Sequence, residues 1–271
     1  MLGALFALSG AGPAQDAARY LEAHQDEGGG FAEPGRAPDV STTAWAVLGL
    51  KAAGGAPGAI RRGEEFLAAR ADGLEAETDV ALAALALGDP PATLLERLRA
   101  YRPGKLVNET IWTLLALRQA GEPAPAELVR SLLGAQARSG GWSWAAGAAP
   151  DSNDTAAALQ ALRAAGVTGA PIRRGLAYLR SLQGRDGGFP LTKGRASDAQ
   201  STAWAIQAFL AAGEKPPAAA PRFLAGLRRA DGSYRYSAAY ATTPVWVTAQ
   251  VLPALAHSQF PYRLPLQSSP A

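Results

Sequence analysis

Apolar residues recur along this chain at helical spacing, in short blocks separated by glycines, prolines and polar runs. The stretch from Arg174 to Gly213 shows the pattern most plainly. Its first block sets Leu176, Tyr178, Leu179 and Leu182 on one apolar side and stops at Asp186-Gly187-Gly188, where glycine admits the left-handed backbone that ends a helix. A second block opens between Asp198 and Thr202 and closes at Gly213. Asp, Ser and Thr accept hydrogen bonds from the free amides of a helix start, and Gly suits a helix end. The pattern predicts helix, loop, helix.

The same unit repeats from end to end. Gln183 is followed four residues on by Gly187 and six on by Phe189; Gln25, Gly29 and Phe31 keep that spacing, as do Gln136, Gly140 and Trp142. Arg228, Gly232 and Tyr234 form a degenerate copy. Aligning the second helix of each unit on its closing glycine stacks Thr43, Thr110, Thr155 and Thr202 in one column, with Thr78 and Pro244 as imperfect members. Six units result: Asp16 to Gly54, Ile60 to Gly88, Pro91 to Gly121, Ala126 to Gly166, Arg174 to Gly213 and Ala218 to His257. Units two and three lack the Gln and the Gly-Gly-aromatic loop. A repeat of this length marks a stacked array in which no unit buries its apolar side alone. The expectation is an all-α protein of twelve main helices with almost no sheet, as one repeat domain over residues 15–257.

Two flanking segments are set apart. Residues 1–14 are mostly small and apolar and end in Pro13-Ala14. They fit either a secretion leader without its charged start, which would place the protein outside the cell or on its surface, or a plain first helix. Residues 258–271 carry three prolines and little periodicity, and are expected to be extended or disordered.

The run Arg174-Gly175-Leu176-Ala177-Tyr178-Leu179, followed by Gln183, Gly187 and Phe189, resembles the glutamine-aromatic repeat of squalene-hopene cyclases. More broadly, residues 15–257 resemble the prenyltransferase and squalene oxidase repeat superfamily. The resemblance implies an α/α toroid, six inner helices ringed by six outer ones around a central cavity. Fold follows from it more directly than function, because one scaffold hosts many activities.

Composition removes several of those activities. There is no Cys and there are only two His, His24 and His257, so disulfides, thiol nucleophiles and Cys- or His-rich metal sites are excluded. The protein prenyltransferases of this superfamily bind zinc through Asp, Cys and His, and complement-type thioester domains need a Cys-Gly-Glu-Gln; neither set is present. No metal and no cofactor is expected. Net charge is +3, but only four of the 26 basic residues are Lys and the basic residues are scattered, which reads as a solvated surface and not a nucleic-acid site. No apolar run is long enough to cross a membrane.

One short motif points at chemistry. Asp151-Ser152-Asn153-Asp154-Thr155-Ala156 resembles the D-x-D-D-T-A of class II terpene cyclases, whose middle Asp protonates an alkene or epoxide. Here Asn153 stands at that place, and an amide has no proton of the required acidity to give. Asp151 and Asp154 remain as candidate catalytic carboxylates. Asp39 with Thr43 and Asp198 with Thr202 repeat the spacing in units with no claim to catalysis, which favours helix capping.

A stripe at i, i+4 and i+7 on the second helices mixes amides, hydroxyls and Trp on one face. It reads Ser41, Trp45, Leu48; Asn108, Trp112, Leu115; Asn153, Ala157, Gln160; Gln200, Trp204, Gln207; Thr242, Trp246, Ala249. A dry core does not tolerate that mixture. The stripe is expected to face the central cavity, with a polar mouth above a belt of indoles; packing between the two helix layers is the other reading. Free N–H groups of the converging helix starts would add anion or carbonyl binding at the mouth. The candidate ligand-binding residues are therefore Trp45, Trp112, Asn108, Asn153, Gln160, Gln200, Trp204, Gln207 and Trp246.

Three functions are compatible with this reading. The first is a non-catalytic binder of an apolar, amphipathic or planar molecule of isoprenoid or corrinoid class, as the similarity to the transcobalamin and intrinsic-factor toroids implies. A terpene cyclase-like enzyme with a degenerate D-x-D-D motif is the second. The third is a structural or protein-interaction toroid, which predicts an occluded cavity and an exposed apolar patch.

Overall fold

The computed structural model describes residues 12–261 and is all-helical, with five isolated bridges and no extended strand among the described residues. Twelve α-helices follow in order: α1 Pro13–Glu22, α2 Val40–Ala53, α3 Pro57–Ala68, α4 Glu77–Leu87, α5 Ala92–Ala100, α6 Val107–Gln119, α7 Ala126–Gly134, α8 Ser152–Ala164, α9 Ala170–Leu182, α10 Ala199–Ala211, α11 Ala219–Leu227 and α12 Pro244–Leu255. A 3₁₀ turn, Ala71–Gly73, lies between α3 and α4.

The even-numbered helices form a closed inner ring in which each packs on the next and α12 packs back on α2. The odd-numbered helices lie outside: α1 between α12 and α2, α3 between α2 and α4, and so on round to α9, with α11 against α10. This is the α/α toroid expected from the repeat. The inner helices are apolar on almost every side because they touch inner neighbours, outer helices and the axis at once; in α2 every residue from Thr42 to Leu50 is buried. Close approach between inner helices relies on small side chains. At Gly49 an added Cβ would stand 2.7 Å from the Ala249 carbonyl oxygen, so glycine is needed where the first and last inner helices close the ring.

The loops staple neighbouring units together. Gln25 donates to its own loop at the Gly29 carbonyl (2.9 Å) and to the Ala59 carbonyl at the start of α3 (2.8 Å), while its oxygen accepts from Arg62. Gln136 does the same with the Gly140 and Pro171 carbonyls (2.8 and 2.9 Å) and Arg174. Gly140 has a positive φ and packs so tightly on α9 that a Cβ would lie 2.4 Å from the Arg174 carbonyl oxygen. At the seam between unit six and unit one the polarity is reversed: the loop carries Arg228 and the facing helix carries Asp16, which accepts from it. The aromatic residue of each loop is buried, and its backbone N–H donates to a Thr hydroxyl of the following inner helix: Phe31 to Thr43, Trp142 to Thr155, Phe189 to Thr202 and Tyr234 to Thr248, all at 2.8–2.9 Å.

That last bond corrects the alignment of unit six. Thr248, and not Pro244, occupies the threonine column, so the register moves by one helical turn. Unit six has no closing glycine to align on; His257 takes the left-handed position with φ of 52°. In the corrected register Gln250 falls in the column of Trp45, and Trp246 joins Ser41 and Asn108 at the helix start. Thr242 lies ahead of α12 and is exposed. In unit two, which lacks the Gln, Arg97 of α5 reaches back to the Leu74 and Glu75 carbonyls and the Glu77 carboxylate.

At the opposite end, cations close the inner helices from next door. Lys51 of α2 donates to the Ala86 and Leu87 carbonyls of α4, Arg118 of α6 to the Ala164 carbonyl of α8, and Arg163 of α8 to the Ala211 carbonyl of α10. Each meets carbonyls that the helix itself leaves unpaired and the negative end of its dipole. The possible leader, residues 1–14, falls mostly outside the described residues, though Pro13 and Ala14 begin α1. Of the tail only Ser258 to Pro261 lie within the described residues; they form no helix or strand, and Phe260 is 2% exposed and lies inside the ring.

Gln136 bridges its own loop, α9 and Arg174, whereas Gln183 is paired with the Gly187 carbonyl. Replacing Gln136 by Ala should therefore cost about 2–3 kcal/mol, against about 1 kcal/mol for Gln183→Ala. Denaturant midpoints at unchanged m-value measure the difference.

Candidate functional site

The site is built by helix register. In α2, α6, α8 and α10 the second, sixth and ninth residues share the face turned to the axis. The sixth residues are Trp45, Trp112, Ala157 and Trp204. The three indoles meet one another across the axis: Trp45–Trp112 at 5.5 Å and 80°, Trp45–Trp204 at 5.7 Å and 90°, Trp112–Trp204 at 5.5 Å and 84°. All three contacts are edge-to-face, the arrangement that aligns positive ring edges with negative ring faces. The stripe thus faces inward and does not lie between the helix layers. It forms a closed floor instead of an open belt, with Trp45 and Trp204 buried and Trp112 half-buried.

Gln250 completes this level from α12. Its oxygen accepts from the Trp204 indole N–H at 2.8 Å and from the Gln200 amide at 3.0 Å, which fixes both side chains. One level further along the axis are Gln160 and Gln207, both fully buried. Gln160 accepts from the backbone N–H of Phe260 at 2.8 Å, and the Phe260 ring lies 5.6 Å from Trp204 and 6.3 Å from Trp45. Neither polar atom of Gln207 has a partner, and neither has the Gln250 amide nitrogen.

On the other side of the indole floor is the mouth. Ser41, Asn108, Asn153, Gln200 and Trp246 are all half-buried there, with the Asn108 oxygen buried and unpaired. At the starts of α6, α8, α10 and α12 the expectation of free N–H groups fails, because the loop of the following unit accepts from them. The N–H groups of Asn108, Ser152 and Ala199 donate to the Trp144, Leu191 and Tyr236 carbonyls, and the Glu33 carboxylate accepts from both Val245 and Trp246. What the mouth presents is therefore chiefly side chains: three amides, the Ser41 hydroxyl and the Trp246 indole.

Asp151 and Asp154 belong to a repeated cap. Asp39 accepts from the Thr42 N–H and, through its other oxygen, from the Thr42 hydroxyl at 2.7 Å; Asp198 does the same with Ser201 at 2.7 and 2.9 Å. Asp151 accepts from the Asp154 N–H at 2.8 Å, and the residue at the hydroxyl position is Asp154 itself. A carboxyl can fill a hydroxyl's place only by keeping its proton. Burial, followed by repulsion from Asp151, raises Asp154 from the ordinary carboxyl range to about 8. Burial also raises Asp151 and Asp198, while the hydrogen bonds each accepts oppose the shift. Glu109 on α6 is raised by burial and then by Glu77.

Concavities also lie on the outside of the ring. A cleft of about 670 Å³ at the seam is lined by Tyr20, His24, Arg229 and Asp231, and a groove of about 340 Å³ by Ile206, Leu224, Tyr234 and Leu255. Neither includes a residue of the axial stripe. Charges at the seam are already paired, Arg228 with Asp16 and Arg229 with Asp231. Among the described residues no group of three His, Cys, Asp or Glu is placed to hold a metal ion, and no helix is long and apolar enough to cross a membrane. Sequence reasoning missed Gln250, Phe260 and Glu33; only Gln250, a lone amide in an apolar helix one turn beyond Trp246, carried a local signal.

No protein-family profile and no curated protein matches the sequence. Solved structures do. The apo type II terpene cyclase MstE from Scytonema superposes with a TM-score of 0.70 at 17% identity, over 90% of this chain and 96% of that one. A variant of MstE in complex with its substrate geranylgeranyl dihydroxybenzoate gives 0.66 at 16% identity, over 90% and 96%. Unsaturated glucuronyl hydrolase from Bacillus sp. GL1 gives 0.54 at 13% identity, over 90% and 94%. The chain has the α/α toroid fold of these enzymes.

Because Asp154 is raised, the folded protein holds a proton that the unfolded chain releases. The stabilisation is complete below the ordinary carboxyl range and is lost as pH rises towards about 8. Asp154→Thr, which restores the hydroxyl of the neighbouring units, should gain stability over wild type at pH 8 and show a smaller gain, or none, at pH 5. Urea midpoints at the two pH values check the sign.

Proposed function

We propose that the protein binds a small, neutral, apolar molecule of isoprenoid class on the axis of the toroid, without transforming it. The observation that supports this most is the floor of three edge-to-face indoles beneath the half-buried amides of Asn108, Asn153 and Gln200. Apolar walls with a few placed polar groups are the usual composition of a small-molecule pocket. Isoprenoid chains suit indole faces, and MstE, similar in fold, holds a geranylgeranyl-bearing substrate. A corrinoid is disfavoured, since three touching indoles leave no width for a macrocycle at that level.

The acid chemistry argues for binding over cyclisation. An alkene takes a proton only from a strong acid, and efficient general acids are tuned towards the task. Asn153 has no such proton, and the proton that burial keeps on Asp154 is turned to Asp151. A terpene cyclase-like reaction is the second reading. It is favoured by the toroid's similarity to MstE and by the single proton shared between Asp151 and Asp154.

Titration of geranylgeraniol against the protein should quench or shift the indole fluorescence in a saturable way. Trp112→Ala should weaken binding by about tenfold, the loss of roughly 1.4 kcal/mol expected for an aromatic contact, while the helical spectrum is retained. Trp112 is the choice because it is half-buried, so its removal disturbs packing least. Incubation with geranylgeranyl dihydroxybenzoate should return it unchanged; a cyclised product that disappears in Asp154→Asn would establish the second reading instead. No saturable response to any isoprenoid alcohol would sink the proposal.

A further inference from the structure

The inner ring is complete at α12, yet the chain does not leave it there. After α12 the backbone turns at His257 in the left-handed conformation, with the Ser258 N–H closing on the Pro253 carbonyl at 2.9 Å. It then sends Phe260 back into the axis from the end of the ring opposite the mouth. The ring contacts Trp45 and Trp204, and the backbone N–H donates to Gln160.

The surroundings of Phe260 are not those of a residue that merely completes a core. Gln207 occupies the same level on α10 as Gln160 does on α8, is 1% exposed, and has no partner for either its oxygen or its nitrogen. The Gln250 nitrogen, one level nearer the mouth, is also unpaired. A phenyl ring offers these amides nothing, and buried amides without partners are rare because each forfeits its hydration. An unpaired donor and an unpaired acceptor that suit a hydroxyl are therefore present, while the apolar half of the position is filled by the chain's own phenylalanine. No ionisable side chain stands among the sixth and ninth residues of α2, α6, α8 and α10, so the matching ligand is neutral.

The geometry points to Phe260 as a built-in plug of the axial ligand site, occupying the place of an apolar molecule that carries one hydroxyl. In the exchange the hydroxyl takes over the Phe260 N–H bond to the Gln160 oxygen and accepts from the Gln207 nitrogen, and the apolar body takes over the faces of Trp45 and Trp204. The inference rests on the axis being the binding site and adds how that site is regulated. A wild-type chain must expel Phe260 before this half of the axis is filled, so its apparent affinity is reduced by the fraction of molecules that are unplugged.

The test uses geraniol as the probe and the full-length chain as wild type, Phe260→Ala, Phe260→Leu and the double variant Phe260→Ala with Gln207→Leu. Affinity is read by isothermal titration calorimetry and folding by far-ultraviolet spectrum and cooperative melting. Phe260→Ala should bind geraniol on the order of tenfold tighter than wild type, with Phe260→Leu between them. Adding Gln207→Leu should remove most of that gain. Equal, measurable binding by wild type and both single variants would overturn the plug while leaving the axial site intact. Failure of both single variants to fold would also overturn it, by making Phe260 a core residue. Absence of binding in every chain, the folded Phe260→Ala included, would instead count against the axial site itself and take the plug with it.

Discussion

Each inner helix of this ring begins with N–H groups that its own backbone leaves unpaired, and the architecture is organised by where those groups find acceptors. A local Asp supplies one acceptor in α2, α8 and α10, worth about 1 kcal/mol apiece. The loop of the next unit supplies another, through the Trp144, Leu191 and Tyr236 carbonyls or the Glu33 carboxylate. The same loops are pinned to the following outer helix by Gln25 and Gln136. A loop thus spans three consecutive units, which ties the stability of any one repeat to both of its neighbours. This is the behaviour of a stacked array with its ends joined.

Joining the ends imposes its own constraint on the interior. Six inner helices closing on small residues such as Gly49 leave an axis no wider than three indoles in edge contact. The axis is then divided, with amides and solvent on the side of the helix starts, and Gln160, Gln207 and Phe260 on the side of the helix ends. Capping decides which chemistry survives at the mouth. Because backbone N–H groups of α6, α8, α10 and α12 are spent on the staples, it falls to neutral side chains, the amides of Asn108, Asn153 and Gln200 with Ser41 and Trp246, to meet a ligand.

The repeat, the all-helical class and the inward-facing stripe were legible because they depend on local spacing: a Gln, a Gly and an aromatic at fixed offsets, and amide, Trp and Gln along one helix face. What was illegible depends on closure. Glu33 and Trp246 are 213 residues apart in sequence, and nothing near Glu33 marks it as the cap of α12. The glycine-based alignment misses the register of unit six by a turn because the closing glycine is absent there and His257 takes its place. Phe260 stands alone in a proline-bearing segment without periodicity, so its burial follows from the ring's empty centre and not from its neighbours in sequence. The free N–H groups expected at the mouth were a correct reading of each helix alone and failed once the next loop was in place.

The Asp151–Asp154 pair shows how a chemical motif and a structural one can share residues. In units one and five the capping Asp receives a hydroxyl from Thr42 or Ser201, so its second oxygen is satisfied by a group that never ionises. Unit four places a carboxyl at that position, and the fold forces it to imitate the hydroxyl by remaining protonated. The raised pKa therefore arises from a packing role, and a proton retained for that reason is a poorly acidic one. For this pair to serve as a proton donor to an alkene, its environment would have to stabilise the anion left behind. Burial raises both carboxyls, which destabilises that anion while keeping a proton on the pair at neutral pH.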